Sequence, residues 1–388
     1  TSTPHEIMRT QVHHKTLVYL FYCPRATPVK TIADQSRKEA AHMKAYVIGD
    51  YINTKQLAPV DRPDPTPGPG EVLMKVRATG PNARDFQIWT TGTAMGPPPS
   101  ERVVCADNAG EVLAVGAGVT NVKPGDRIST IHYNQWIDGP WDFEMRHIDH
   151  GQTIDGFMQE KAIVSAEAVV KLPENISFED ASTLPSAGLT AWNAVVATGQ
   201  VKAGETVVTI GTGGVSVFAM QWAKMLGARV IVTSSSDEKL ATMKELGADD
   251  VINYRTHPEW SKQVMELTGG RGAEAVINNV GTSEMDQCLE SCASGGRMMF
   301  IGHSPVSSDR EARAMPPLLR LPLLIIKNID IRGVIVGSRK MYEDLINAVS
   351  KHNIKPIIDR VYDFDQANEA VAYMASTDKI GKVVIRVN

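Results

Sequence analysis

The residues with the clearest chemical meaning form a glycine-rich hexapeptide, Gly211-Thr212-Gly213-Gly214-Val215-Ser216. Its spacing is G-x-G-x-x-S, with serine where the third glycine of a dinucleotide-binding turn usually stands. Glycines allow a tight turn and a close approach of backbone N–H groups to a pyrophosphate, and a following helix adds partial positive charge. The turn therefore predicts a bound dinucleotide, with a ligand-free glycine turn as the alternative. The predicted contacts are Gly211, Thr212, Gly213, Gly214 and Val215.

A serine-rich segment further along indicates which dinucleotide is bound. An NAD site normally offers a carboxylate about 20 residues after the glycine turn, to bind the ribose 2′-OH. Here Ser234 and Ser235 occupy that place, which leaves room for a 2′-phosphate, and Lys239 can pair with the phosphate as a point charge. The segment predicts NADP(H) rather than NAD(H). The alternatives are a helix N-cap at 234–237 and a merely solvated Lys239.

The segments around the glycine-rich turn alternate between predicted strands and predicted helices, as in a doubly wound fold. From about Glu205, apolar strand-like runs alternate with helical stretches, the first of which ends at Gly227. Strands that are apolar throughout, with helices between them, indicate a parallel sheet covered on both faces. The predicted strands are Thr206–Ile210, Arg229–Thr233, Asp250–Asn253, Ala275–Asn278, Arg297–Ile301 and Ile329–Val336. We therefore predict an α/β Rossmann domain with a six-stranded parallel sheet over residues 173–337.

The flanking segments indicate a second, β-rich domain. Short runs rich in β-branched residues, punctuated by Pro and Gly, fill 43–172, and 338–388 supplies two helices and a last strand. The predicted runs include Glu71–Val76, Val103–Val104, Glu111–Val115, Arg127–Ile131 and Ala162–Val164, and Asp365 is the predicted N-cap of the last helix. Because 338–388 is too short to stand alone, we expect it to join 43–172 in one discontinuous domain.

Composition excludes several classes of function. The 388-residue chain has a net charge of −4, which gives no support to binding of nucleic acid or an anionic membrane, and no apolar run could span a bilayer. Its four cysteines form no CxxC pair, which disfavours disulfide scaffolds and zinc ribbons. We expect a soluble, cytoplasmic protein. Residues 1–42 are expected to be a poorly ordered extension, with a transit role as the alternative.

A series of phrases, in order, resembles the medium-chain dehydrogenase/reductase superfamily, and within it the zinc-less quinone-oxidoreductase-like branch. The phrases are Pro67-Gly68-Pro69-Gly70-Glu71-Val72, Pro81-Asn82-Ala83-Arg84-Asp85-Phe86, Asp107-Asn108-Ala109-Gly110-Glu111-Val112, Lys123-Pro124-Gly125-Asp126-Arg127-Ile128, Leu184-Pro185-Ser186-Ala187-Gly188-Leu189-Thr190-Ala191 and Ile380-Gly381-Lys382-Val383-Val384-Ile385. The resemblance covers about Met43 to the C-terminus. It implies a GroES-like catalytic domain beside the Rossmann domain, with the active site between them.

The resemblance also implies roles for particular residues. Lys239 and Tyr254 match positions that hold the 2′-phosphate, and Asn82 and Thr190 match positions near the nicotinamide. The remaining matches to the cofactor are Asn279, Gly302, Val336, Gly337 and Lys382. Zinc-dependent relatives have a histidine ligand where this chain has Ala106, and their four-cysteine lobe is missing here. The resemblance therefore implies a zinc-independent enzyme.

Without a metal, reduction of an activated C=C bond is the easier chemistry, since the resulting enolate needs only hydrogen bonds and a proton. Asn82 is the predicted orienting residue, with Tyr133 and Asp85 as further catalytic candidates; a structural ion pair with Arg84 is the alternative for Asp85. A zinc-independent alcohol dehydrogenase or aldehyde reductase, and a cofactor-binding protein without turnover, are alternative functions.

The expected substrate is a small apolar compound with a conjugated carbonyl. The segments 132–151 and 303–327 are predicted as long loops around the cleft. In the first, Trp136, Trp141 and Phe143 either shape an apolar pocket or pack the loop. A homodimer is expected through the strand Ile329–Val336, at the edge of the sheet.

Overall fold

The computed structural model describes residues 42–90, 96–302 and 321–388. The predicted N-terminal extension, apart from His42, and most of the predicted loop 303–327 lie outside these ranges. The first seven strands are β1 (His42–Val47), β2 (Ala58–Pro63), β3 (Glu71–Gly80), β4 (Asp107–Val115), β5 (Arg127–Thr130), β6 (Lys161–Ser165) and β7 (Val169–Lys171). They are followed by β8 (Thr206–Ile210), β9 (Arg229–Ser234), β10 (Asp250–Asn253), β11 (Ala273–Asn278), β12 (Cys292–Phe300), β13 (Asp330–Gly333), β14 (Ile358–Asp363) and β15 (Lys382–Arg386).

Helices connect these strands. They are α1 (Tyr51–Thr54), α2 (Ala83–Thr90), α3 (Phe178–Ser182), α4 (Leu189–Trp192), α5 (Gly214–Met225), α6 (Asp237–Glu245), α7 (Trp260–Leu267), α8 (Met285–Ser291), α9 (Leu321–Ile326), α10 (Arg339–His352) and α11 (Ala367–Ala375). π-helical turns at Leu184–Gly188 and Asn193–Ala197 flank α4. None of the helices in the described ranges is long and apolar enough to cross a membrane.

The six-stranded sheet is parallel throughout, in the order β10-β9-β8-β11-β12-β13. Its central strand β8 is buried at every position, because both faces of the sheet are covered. Val207 joins a cluster with α5 and α10, whereas its neighbour Val208 joins a second cluster with α7 and α8. This arrangement confirms the predicted α/β fold class. β13 lies at the edge of the sheet, and a homodimer through it stays a prediction.

A seven-stranded sheet forms the β-rich part of the chain. Its order is β14-β15-β3-β4-β5-β7, and β6 pairs with the first five residues of β3, Glu71–Lys75, whereas β15 pairs with Ala78 and Thr79 near the end of the same strand. β3 alternates between partly buried and buried residues over most of its length, as expected for a strand with one covered face. β14 and β15 also belong to this sheet. Its strands therefore come from two segments of the chain, one before and one after the segment that forms the six-stranded sheet. The domain boundaries themselves stay a prediction.

Several local predictions were wrong. Val103 and Val104 form no strand: their carbonyls accept hydrogen bonds from Gly156 and Met158, and Cys105 then turns to a φ of 68°. Asp365 does not cap the last helix. It lies within a 3₁₀ turn, Phe364–Gln366, which precedes α11 and is capped by Asp363 through a capping box with Gln366. α11 itself begins after Gln366, whose side chain makes no capping hydrogen bond.

Other strands also differ from the predictions. β2, β7 and β14 were missed, and β13 is shorter than predicted. β4 and β12 begin earlier than predicted, and β3 ends later.

Candidate active site

The glycine-rich turn joins the end of β8 to the start of α5. Gly211 has a φ of 81°, a conformation that favours glycine, and its N–H donates to Thr233 O at 2.8 Å. A Cβ placed on Gly211 or Gly213 would meet no atom of the described structure within 4 Å, so the turn has an open face. Gly213 caps α5 without a side chain, which leaves the N–H groups of the first helical turn for a ligand. This geometry fits the pyrophosphate of a dinucleotide.

Ser216, which stands in place of the third glycine, supports Asn279. It is fully buried, and its hydroxyl donates to Ile210 O at 2.7 Å and accepts from Asn279 Nδ2 at 2.9 Å. Asn279 Oδ1 is buried without a hydrogen-bond partner among the described residues. A Cβ on Gly302 would lie 1.9 Å from Asn279 O, so only glycine fits beside it. The free acceptor of Asn279 therefore suits a cofactor contact at the ends of β11 and β12.

Basic groups gather at the predicted 2′-phosphate end. Lys239 donates its ammonium to Thr377 O, and Tyr254, which is 37% exposed, donates its N–H to Ser234 O at 3.0 Å. Burial and the positive charges of Lys239 and Lys382 lower the pKa of Lys379. Lys379, whose ammonium donates to Ser376 O at 2.8 Å, is a further basic group at this end that the sequence analysis did not single out.

A buried network occupies the inner part of the site. Lys382 Nζ donates to Asn82 Oδ1 at 2.6 Å and to Asp107 Oδ2 at 2.7 Å, and both members of the ion pair are buried. Asn82 Nδ2 donates to Ser186 Oγ at 3.2 Å, and Asp107 Oδ1 accepts from the Ser186 N–H at 3.0 Å. Thr190 lies one helical turn after Ser186 and is also buried. The structure thus brings Asn82 and Lys382 together, as parts of one network with Ser186.

His132 contacts this network through its Nε2 atom, which lies at Ser186 Oγ. Burial, followed by the positive charges of Arg84, His150 and Lys382, lowers the pKa of His132 well below its usual range. A neutral imidazole can accept the Ser186 proton at Nε2. Sequence reasoning treated His132 as a loop residue, because nothing local indicates its contact with a serine 54 positions later.

Asp85 supports the backbone of Asn82. Its Oδ2 accepts from the Asn82 N–H at 2.7 Å, and its other oxygen lies 3.8 Å from Arg84. Arg84 makes its closer ion pair with Asp149, at 2.6 Å. Burial raises the pKa of Asp85 to about 6, and Arg84 opposes the shift. These contacts are those of a residue that positions Asn82.

Tyr133 lies outside this buried network and packs on Trp141, with ring centroids 4.8 Å apart. Burial, together with the negative charge of Asp149, raises the pKa of Tyr133 to about 12. Its phenol is therefore protonated at neutral pH and can donate a hydrogen bond.

An apolar cavity of about 570 Å³ lies between the loop 132–151 and the ends of β12 and β13. Trp136 and Trp141 line it together with Ile301, whereas Phe143 is 59% exposed and stacks with Arg146. The tryptophans thus shape a cavity, and Phe143 does not.

Val336 is buried in the main apolar cluster, and a Cβ on Gly337 would lie 2.7 Å from Leu189 Cγ.

The donor set beside Asp107 does not suit a zinc ion. Ala106 supplies no ligand, and the ammonium of Lys382 on the Asp107 carboxylate would repel a divalent cation. In the described ranges, no group of three or more His, Cys, Asp or Glu side chains is placed to hold a metal ion. Zinc independence itself stays a prediction.

Comparison with known proteins gives two family matches. Residues 68–174 match the alcohol dehydrogenase GroES-like domain, and residues 214–351 match the zinc-binding dehydrogenase family. A zinc-type alcohol dehydrogenase-like protein of Schizosaccharomyces pombe is 38% identical over 88% of this chain and 99% of its own length. An acryloyl-coenzyme A reductase of Metallosphaera sedula is 28% identical over 88% and 99% of the two chains.

Two solved structures have the same fold. A putative alcohol dehydrogenase from Sinorhizobium meliloti superposes with a TM-score of 0.80 at 35% identity, over 89% of this chain and 98% of its own. A quinone oxidoreductase of Pseudomonas syringae superposes with a TM-score of 0.72 at 28% identity, over 89% and 99% of the two chains.

Proposed function

This chain belongs to the medium-chain dehydrogenase/reductase superfamily and is an oxidoreductase, and from that premise we propose that it is an NADPH-dependent, zinc-independent reductase of activated C=C bonds. The substrate is an enone, an enal or a quinone. One observation carries the proposal: the Asn82 amide is hydrogen-bonded to Lys382 and Ser186, and neither an ammonium nor a serine hydroxyl is a usual zinc ligand. Reduction of a conjugated C=C bond requires only such groups, because the enolate that forms is stabilised by hydrogen bonds.

The chain's own residues would hold NADPH at both ends. The open face at Gly211 and Gly213 would receive the pyrophosphate, and the free acceptor of Asn279 lies at the adjoining strand ends. Ser234, Ser235, Lys239 and Tyr254 are the proposed contacts of the 2′-phosphate, and Thr190 that of the nicotinamide. When bound, NADPH supplies a hydride to one carbon of the double bond, and a proton completes the other.

Asn82 and Tyr133 are the proposed orienting groups. The Asn82 amide is fixed by Lys382 and Ser186 on its two sides, and its Nδ2 carries two N–H donors, of which the Ser186 contact uses one. Tyr133 donates from a phenol that stays protonated at neutral pH. The cavity lined by Trp136 and Trp141 favours an apolar substrate body. The acryloyl-coenzyme A reductase and quinone oxidoreductase relatives support this substrate class.

The direct test is turnover by the purified protein. We expect oxidation of NADPH with enones, enals or quinones, faster than with NADH and unchanged by a chelator. Preference for NADH would contradict the cofactor assignment, and loss of turnover with chelator would contradict zinc independence. Turnover with aldehydes alone would favour the alternative of an alcohol dehydrogenase or aldehyde reductase, which the names of several relatives support. Tight NADPH binding without turnover would favour a cofactor-binding protein.

Replacement of Lys239 tests the preference for NADPH. We expect Lys239→Ala to raise the Michaelis constant for NADPH by about 10- to 100-fold, since a charge-assisted contact to phosphate is lost. The constant for NADH should change by less than about twofold, because NADH lacks the 2′-phosphate. Steady-state kinetics with both cofactors measure the difference.

Lys244→Ala is the matched control, because Lys244 lies on the same helix α6 but donates to Asp249 O. Equal changes for NADPH and NADH in Lys239→Ala would mean that Lys239 does not contact the phosphate.

A further inference from the structure

The turn between α11 and β15 brings two lysine ammonium groups together. Lys239 Nζ donates to Thr377 O, and Lys379 Nζ donates to Ser376 O at 2.8 Å, so the two ammonium groups bind adjacent carbonyls of this turn. The first lysine belongs to α6, beside the six-stranded sheet, and the second precedes β15 of the seven-stranded sheet. Two parts of the fold thus each contribute one positive charge at the same place.

These contacts leave both positive charges uncompensated. A backbone carbonyl accepts a hydrogen bond but carries no net charge, and in the part of the chain that the structure describes neither Lys239 nor Lys379 forms an ion pair with a carboxylate. Burial and the charge of Lys239 accordingly lower the pKa of Lys379, and the carboxylates of Asp359 and Asp378 oppose that shift only in part. An anion bound between the two ammonium groups would relieve their repulsion.

Both ammonium groups also have N–H donors that remain for a ligand. A lysine ammonium carries three N–H groups, and each of these two uses one of them on a carbonyl of the described chain. Lys239 and Lys379 are only partly buried, so a ligand can reach them. A phosphate monoester carries a charge of about −1.5 to −2 at pH 7 and three strong acceptor oxygens, which suits two lysines better than one.

We propose that Lys379 is a second cationic contact of the cofactor's 2′-phosphate and that it determines, together with Lys239, the preference for NADPH over NADH. The inference rests on the proposed function, which assigns the 2′-phosphate to Lys239, and adds a contact from the segment that leads into the seven-stranded sheet. In the same segment, Gly381 donates its N–H to Thr212 O at 2.9 Å. The residues 376–381 therefore border both the proposed 2′-phosphate contact and the glycine-rich turn.

Binding of two adenine nucleotides tests the inference without any turnover. The probes are 2′,5′-ADP, which carries the 2′-phosphate, and 5′-AMP, which lacks it, and isothermal titration calorimetry gives the Kd of each. We expect Lys379→Met, which removes the charge and keeps the length of the side chain, to raise the Kd for 2′,5′-ADP about 10-fold, since a charge-assisted hydrogen bond is lost. The Kd for 5′-AMP should stay within about twofold. Lys379→Arg keeps the charge and should stay within about threefold for both probes.

Lys55→Met is the matched control, because Lys55 Nζ also donates to the carbonyl three residues earlier, Ile52 O at 2.8 Å, and it should leave both Kd values unchanged. An unchanged Kd for 2′,5′-ADP in Lys379→Met would overturn the inference. An equal loss for both probes would also overturn it, because Lys379 would then only support the turn. In both cases the proposed preference for NADPH stands if Lys239→Ala weakens binding of 2′,5′-ADP alone. Equal binding of the two probes by the unsubstituted protein would overturn that preference and this inference together.

Discussion

Gly213→Val is expected to raise the dissociation constant for NADPH by at least about 100-fold, equivalent to about 2.7 kcal/mol. Gly213 has a φ of −77° and a ψ of 175°, a conformation that valine adopts without strain. A Cβ at this position meets no atom within 4 Å in the described structure, so the folded chain accommodates the side chain. The isopropyl group would instead fill the space over the first turn of α5 where the pyrophosphate is expected.

Two measurements separate lost binding from lost folding. The thermal midpoint without cofactor should change by less than about 2 °C, since no packed group is displaced. NADPH binding is measured by fluorescence titration, and Gly213→Ala should give an intermediate loss because its side chain is smaller. Unchanged affinity in a folded Gly213→Val protein would show that the turn does not hold the pyrophosphate.

The cofactor turn was accessible to sequence reasoning because its signal is local. Six residues carry the glycine spacing, and the strand and helix on either side follow from hydrophobic periodicity over short windows. The same applies to the parallel sheet, whose strands are continuous apolar runs such as Thr206–Ile210. Local patterns therefore sufficed for the fold class and for the position of the glycine-rich turn between β8 and α5.

The inner network could not be assembled in that way. Lys382 and Asp107 are 275 positions apart, and Asn82 and Ser186 are 104 apart, so their contacts depend on how two sheets and a helix pack. A charged residue at the start of an apolar strand was the available signal at Lys382. The prediction of Asp365 as an N-cap failed for a similar reason. Asp363 and Asp365 are both suitable N-cap residues by type, and only the position of the observed turn shows that Asp363 is the cap.

Trp222 connects the packing of the six-stranded sheet to this inner network. It is fully buried in α5, stacks on Phe218 with centroids 5.4 Å apart, and meets the edge of Trp192 at 5.9 Å. Its Nε1 donates to Gly188 O at 3.1 Å, in the helical segment that also carries Ser186 and Thr190. The π-helical turns of this segment depart from regular helix geometry. We therefore expect the positions of Ser186 and Thr190 to depend on contacts from other elements, such as the hydrogen bond from Trp222.

Trp222→Ala should therefore lower the free energy of unfolding by about 3–5 kcal/mol, through the cavity that it leaves and the loss of the hydrogen bond to Gly188 O. Denaturant unfolding measures this loss. Trp260→Ala is the matched control, because Trp260 is 1% exposed in the apolar cluster on the opposite face of the sheet. Both variants should lose similar stability, but at a low temperature where both are folded only Trp222→Ala should lower kcat/KM, by about 10-fold or more. Equal kcat/KM in the two variants would show that Ser186 and Thr190 keep their positions without the indole, and that Trp222 acts on stability alone.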